Sequence, residues 1–136
     1  MGPEFTVRKL LVPLKDKLDE LRGGGLDGLS GVFSGTPDYD ELHATPKNMA
    51  PFIRCTLLPG DAADYADDER IQEYPRVQVD FWLDVTADYG ELEQAIYDIL
   101  HNGGWERIYR DNGADGDDKS LRMVTGYFQY QGAAVG

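Results

Sequence analysis

The hydrophobic positions along this chain change period several times, and each change predicts an element. In 7–21, VRKLLVPLKDKLDEL, the residues Val7, Leu10, Leu11, Leu14, Leu18 and Leu21 recur at steps of three and four. That spacing sets them along one stripe of a helix. Thr6 is placed to cap its start. Pro13 breaks the pattern, because inside a helix its ring clashes one turn back and it donates no hydrogen bond. The helix therefore kinks at Pro13 or begins its regular part there. The run Gly23, Gly24, Gly25 ends it.

Residues 26–51 are punctuated by Gly and Pro, with a short strand expected around Val32 and Phe33. The stretch GTPDYDELHATPKNMAP reads as a loop with at most one helical turn. It is long for a simple connection, which suggests an arm that reaches a neighbouring molecule. Deleting 36–48 would then spare folding. A strand follows over 52–58, FIRCTLL, with Ile53, Cys55 and Leu57 on one face.

The clearest alternation is 76–85, RVQVDFWLDV. Val77, Val79, Phe81, Leu83 and Val85 alternate with Arg76, Gln78, Asp80, Trp82 and Asp84. One buried and one polar face is the signature of an antiparallel strand. Trp82 falls on the polar face, where a large aromatic needs cover. A second helix follows, with Asp88 and Glu91 in a capping-box spacing and Leu92, Ala95, Ile96, Ile99 and Leu100 as its stripe. It stops at Asn102, Gly103 and Gly104. Two strands, 105–110 and about 120–131, flank DNGADGDDK, and residues 132–136 read as a frayed tail. The order α-β-β-β-α-β-β predicts an α+β domain. Its sheet is largely antiparallel or mixed, with two helices packed on one face. The domain spans 6–131, and MGPEF at 1–5 is read as an expression remnant.

Charge narrows the function classes. The chain of 136 residues carries 25 acids against 13 bases, a net charge of −12. A duplex-DNA reader needs a basic face, so sequence-specific nucleic-acid binding is not expected. Cys55 is the only cysteine, so no intrachain disulfide forms and a reducing compartment is expected. No apolar run approaches the roughly 20 residues that span a bilayer, and no signal peptide is read, so no membrane partner is expected.

The acids cluster in two places: Asp61, Asp64, Asp67, Asp68 and Glu69, and then Asp111, Asp115, Asp117 and Asp118. As an EF-hand loop starting at Asp111, the second cluster fails. Gly113 falls where a ligand belongs, and Arg122 falls where the bidentate carboxylate belongs. A catalytic carboxylate pair needs a pocket and separated pKa values, which a Gly-rich loop does not supply. The turn chemistry instead reads as a hairpin tip, with Gly and Asn able to take positive φ. If both clusters sit at one end of the sheet, they make one concentrated negative surface.

Cys55, His43 and His101 could in principle form a thiol catalytic group. However, Cys55 sits on an apolar strand face, where an inert buried thiol is the expectation. Two histidines without ligand spacing do not make a metal site, and GGGLDGLSG lacks the lysine of a phosphate loop. No enzyme activity, cofactor or metal is expected. Trp105, Tyr109, Tyr127, Phe128 and Tyr130 cluster late in the chain, where core packing and a protein interface are the expected uses. Tyr39, Trp82, Tyr127 and Tyr130 are the candidate interface residues.

Taken together, the segments are similar to the tail-terminator, or tail-completion, proteins of long-tailed bacteriophages. The likeness rests on the Phe81-Trp82 pair in an alternating strand and on the short helix with Glu93, Ile96 and Leu100. It continues through the Gly103 to Trp105 exit, the acidic hairpin, and a last strand with Tyr127 and Tyr130. It covers about 6–131. The resemblance implies a non-enzymatic virion protein at the head-proximal end of the tail, assembled in the host cytoplasm. It further implies a hexameric ring that caps the tail tube, stops its polymerisation and meets the head connector. The two acidic clusters are then candidates to line a lumen through which DNA passes. Another head–tail joint component, a head-closure or adaptor protein, is the alternative. A small intracellular enzyme or metal-binding protein using its carboxylates is a third.

Overall fold

A computed structural model of the chain describes residues 2–26, 29–42, 44–58 and 75–131. Helices α1 (Pro3–Leu11) and α2 (Lys15–Arg22) are joined by a 3-10 turn, Val12–Leu14. Strand β1 (Val32–Ser34) is followed by two one-turn helices, α3 (Tyr39–Leu42) and α4 (Pro46–Met49). Then come β2 (Phe52–Leu57), β3 (Arg76–Asp84), α5 (Gly90–Asn102), β4 (Trp105–Ala114) and β5 (Leu121–Tyr130). The expected α+β class holds, but the element order differs: the first helix is split around a 3-10 turn, and α3 and α4 stand between β1 and β2.

The first helix starts before Thr6, with Gly2 extended as its cap and Pro3 opening the first turn. A proline is favoured there because its missing N–H would be unsatisfied anyway. Thr6 is therefore inside the helix and caps nothing. Pro13 does what its chemistry requires: the helix tightens to 3-10 around it and resumes at Lys15. Gly23 closes α2 at φ +85°, with the Gly23 and Gly24 amides both reaching Asp19 O. At the second long helix the expected capping box does not form: Tyr89 holds the cap position without a side-chain bond, and Asp88 instead accepts the Gly90 amide at 2.9 Å in the turn before it.

The five strands form one sheet in the order β1-β2-β3-β5-β4, with β1 parallel to β2 and every other pair antiparallel. The alternation of side chains divides the core in two. Ile53, Cys55, Val77, Val79, Phe81, Leu83, Val124 and Phe128 join Val7, Leu11, Leu18, Leu92, Ile96 and Leu100 from the long helices in the larger cluster. Met49, Phe52, Trp82 and Leu121 form a second cluster, with Tyr39, Leu42, Ala44 and Ala50 packed against it.

The second face is therefore not the solvated face that the alternation predicts. The connection 36–50 folds back over its own sheet rather than reaching outward as an arm. Arg22 ties down its base: Nε donates to Met49 O at 2.7 Å and Nη2 to Pro51 O at 2.6 Å. Leu57 departs from its expected buried stripe and is 44% exposed at the end of β2, although its register partner Val77 is fully buried in the larger cluster.

Candidate functional site

The register lays out the second face in three rows across β2, β3 and the last strand. Phe52 faces Trp82, which faces Met123; Arg54 faces Asp80, which faces Thr125; Thr56 faces Gln78, which faces Tyr127. The first row is apolar and covered by 36–50. In the second row Asp80 is fully buried. It accepts from Arg54 Nε at 3.1 Å and Nη2 at 2.7 Å, from Gln78 Nε2 at 3.0 Å and from Thr125 Oγ1 at 2.8 Å. These donors replace the hydration that a buried carboxylate loses. The two bonds to Asp80 Oδ2 fix Arg54, whose guanidinium stands 4.8 Å from the Trp82 ring centroid and donates from Nη1 to Thr36 Oγ1 at 3.1 Å.

Above this row the chain leaves an open groove of about 450 Å³. Its walls are Thr36, Tyr39, Thr45, Pro46 and Lys47 from the folded-back connection and Arg54 and Trp82 from the sheet. Asp115, Asp117 and Asp118 close it from the β4–β5 turn. Burial pushes the Tyr39 phenol up, with Arg54 opposing and Asp115 adding to the rise. The Ser120 hydroxyl and amide hold the Asp118 carboxyl below its usual range, and Lys47 lowers it further.

The hairpin reading of DNGADGDD holds, but the turn is shorter than the acidic stretch. Strand β4 continues through Ala114, so Asp111 pairs with Thr125 inside the ladder, and only 115–120 turn. Gly113 and Gly116 are not among the glycines with positive φ, so the turn does not use the freedom that the sequence offered. Side chains close it instead: Asp118 Oδ1 takes the Ser120 amide and hydroxyl, and Asp115 Oδ1 takes the Asp117 amide. Among the described residues no group of His, Cys, Asp and Glu could hold a metal ion.

Asp61, Asp64, Asp67, Asp68 and Glu69 lie outside the described residues. The strands flanking 59–74 end at Leu57 and Arg76, whereas the hairpin turn sits beside Val85, whose amide donates to Ser120 O. Those two ends are separated by the length of β3, roughly 26 Å at about 3.3 Å per residue. The hairpin turn thus sits at the end of β3 opposite the one where the described chain leaves β2, and the first acidic cluster itself lies outside the described residues.

Of the candidate interface residues, Tyr39 and Trp82 come together at the groove. Trp82 is only 5% exposed, stacked on Phe52 and roofed by Arg54, so its surface is spent within the chain. Tyr127 lies elsewhere on the same face, its ring 4.7 Å from Tyr109. Tyr130 packs edge-on against Trp105 at the helix-side core. Cys55 is buried, with its thiol pushed up to about 12 by that burial. His101 contacts Glu106 and Tyr97, and His43 lies outside the described residues. Sequence reasoning missed Arg54, Asp80 and Lys47. A signal was present: opposite charges stand at polar-face positions in the middle of two apolar strands, FIRCTLL and RVQVDFWLDV.

Scanned against models of known protein families, the chain matches none, and a search of curated proteins returns no match. No helix among the described residues is long and apolar enough to cross a membrane.

Proposed function

We propose that this chain is a structural virion protein of the tail-terminator kind. Six copies close into a ring on the end of the tail tube, stop its polymerisation and present a surface to the head connector. The observation that carries the reading is the long outer strand of the sheet. Among the described residues strand β4 pairs only with β5, and its residues 108–112 are all exposed, with Ile108 at 47% and Tyr109 at 48%. Such an edge is a natural docking element for another chain.

Its charge pattern favours a contact with a different surface over self-pairing. Glu106, Arg107, Ile108, Tyr109, Arg110 and Asp111 read the same in both directions by charge. Two antiparallel copies centred between Ile108 and Tyr109 would set Glu106 against Asp111 and Arg107 against Arg110, which repel. A contact between unlike surfaces avoids this, and a repeated contact of that kind closes rings. The net charge of −12 suits a passage that does not hold DNA.

The test has two steps. Native mass spectrometry across a concentration range is expected to show a hexamer, alone or on added tail tubes. Electron microscopy of polymerising tube protein is then expected to show shorter tubes with one capped end. Tubes of unchanged length, or a ring that binds a portal complex and ignores tubes, would reject the terminator role.

A further inference from the structure

We propose that the groove between the folded-back connection and the β4–β5 turn receives an arginine or lysine side chain from an extended segment of a partner polypeptide. Three features of its lining converge on that occupant. The first is charge. Arg54 is already matched by buried Asp80, so it adds little free positive charge to the groove. Lys47 then faces Asp115, Asp117 and Asp118 alone. The uncompensated sign is negative, which repels anionic ligands and draws a cation.

The second feature is unused acceptor capacity. Asp118 and Asp115 each commit one oxygen to the turn, leaving the other without a hydrogen bond among the described residues. The Asp117 carboxylate accepts none among them. These oxygens are too dispersed for a metal ion. A guanidinium, with five donors in a planar fork, or a flexible ammonium can engage dispersed carboxylates.

The third feature is shape. A volume of about 450 Å³ lies within the range of sites that enclose a ligand-sized group. One wall is the rigid Arg54–Asp80–Thr125 row and the aromatic pair Tyr39 and Trp82. The other is a hairpin turn closed by the Asp115 and Asp118 side chains and by backbone bonds from Asp115 N to Leu121 O and from Leu121 N to Asp118 O. Two ordered walls about an open groove suit a side chain presented on a peptide. The proposal concerns one chain and does not depend on ring formation.

The experiment is an amide NMR titration of the full chain with a capped Gly-Arg-Gly-Arg-Gly peptide, its Lys counterpart, and a Glu counterpart as control. Saturable shifts confined to 36–47, 54, 82 and 113–120 are expected for the basic peptides only. The triple variant Asp115→Asn, Asp117→Asn, Asp118→Asn is expected to weaken binding at least roughly tenfold, as loss of paired charges does. A second triple variant, Asp16→Asn, Glu20→Gln, Asp98→Asn, removes equal charge far from the groove and is expected to bind as the parent does. Shifts scattered over the whole acidic surface, or equal losses in the two variants, would overturn the proposal. Either result leaves the tail-cap reading to its own test.

Discussion

Phe52 and Trp82 face each other across β2 and β3 with ring centroids 4.7 Å apart and planes inclined by 13°. Phe52 is fully buried, and Tyr39 and Phe33 meet it edge-on. This stack anchors the second core and carries the groove floor. Truncation of Trp82 to Ala should therefore destabilise the chain by about 3–5 kcal/mol. Urea unfolding would measure it, and a loss below about 1 kcal/mol would show that the second cluster carries little of the stability.

The same packing changes what deletion of 36–48 should do. That segment supplies Tyr39, Leu42 and Ala44 to the cover over Phe52 and Trp82. Removing it exposes an aromatic face, so the expected outcome is a lowered unfolding midpoint and dye binding to exposed apolar surface. A deletion variant with the parent's midpoint would mean that the segment is a detachable arm after all.

Asp80 and Arg54 should behave as a unit. Asp80→Ala removes the acceptor for two Arg54 bonds and orphans Gln78 and Thr125. Breaking such a buried pair costs about 3–5 kcal/mol, with the lower end expected because Arg54 keeps some solvent. The double variant Arg54→Met, Asp80→Leu should lose clearly less than Asp80→Ala alone, since no uncompensated charge remains. A double-mutant cycle measures this, and strict additivity would refute the coupling.

Acid should loosen the hairpin turn. Hydrogen bonds from Ser120 to Asp118, and from Thr86 to Asp84, hold both carboxyls below their usual value of 3.8. A depressed folded pKa means that the stabilisation is complete above the unfolded value and is lost as pH falls through the folded one. Between about pH 5 and pH 2 the parent should therefore lose stability faster than the double variant Asp84→Ala, Asp118→Ala. Parallel midpoint-versus-pH curves would count against these two turns as acid-sensitive elements.

Cys55 should be silent until the chain unfolds. With its thiol pushed up to about 12 by burial, almost no thiolate exists near neutral pH, and the side chain has no exposed surface. A thiol reagent at pH 8 is expected to leave the folded chain unmodified and to label one group per chain in denaturant. Rapid labelling of the native protein would contradict the buried strand placement.

Local order was legible in the residues themselves. The three-and-four spacing of leucines, the two-residue alternation in RVQVDFWLDV and the Gly and Pro punctuation depend only on backbone geometry and neighbouring positions. They therefore placed the long helices, the main strands and the hairpin, and the kink at Pro13 followed from one ring. What covers the second sheet face could not be read that way. Trp82 announced that it needed cover, but the cover comes from residues more than thirty positions earlier, and alternation says only that two faces differ. The Arg54–Asp80 pair hid for the same reason, because a register between strands decides which charges meet. The acidic stretches looked like partners because composition has no direction. Strand register turned Asp115, Asp117 and Asp118 toward a groove, since only a folded sheet assigns a place to each of its ends.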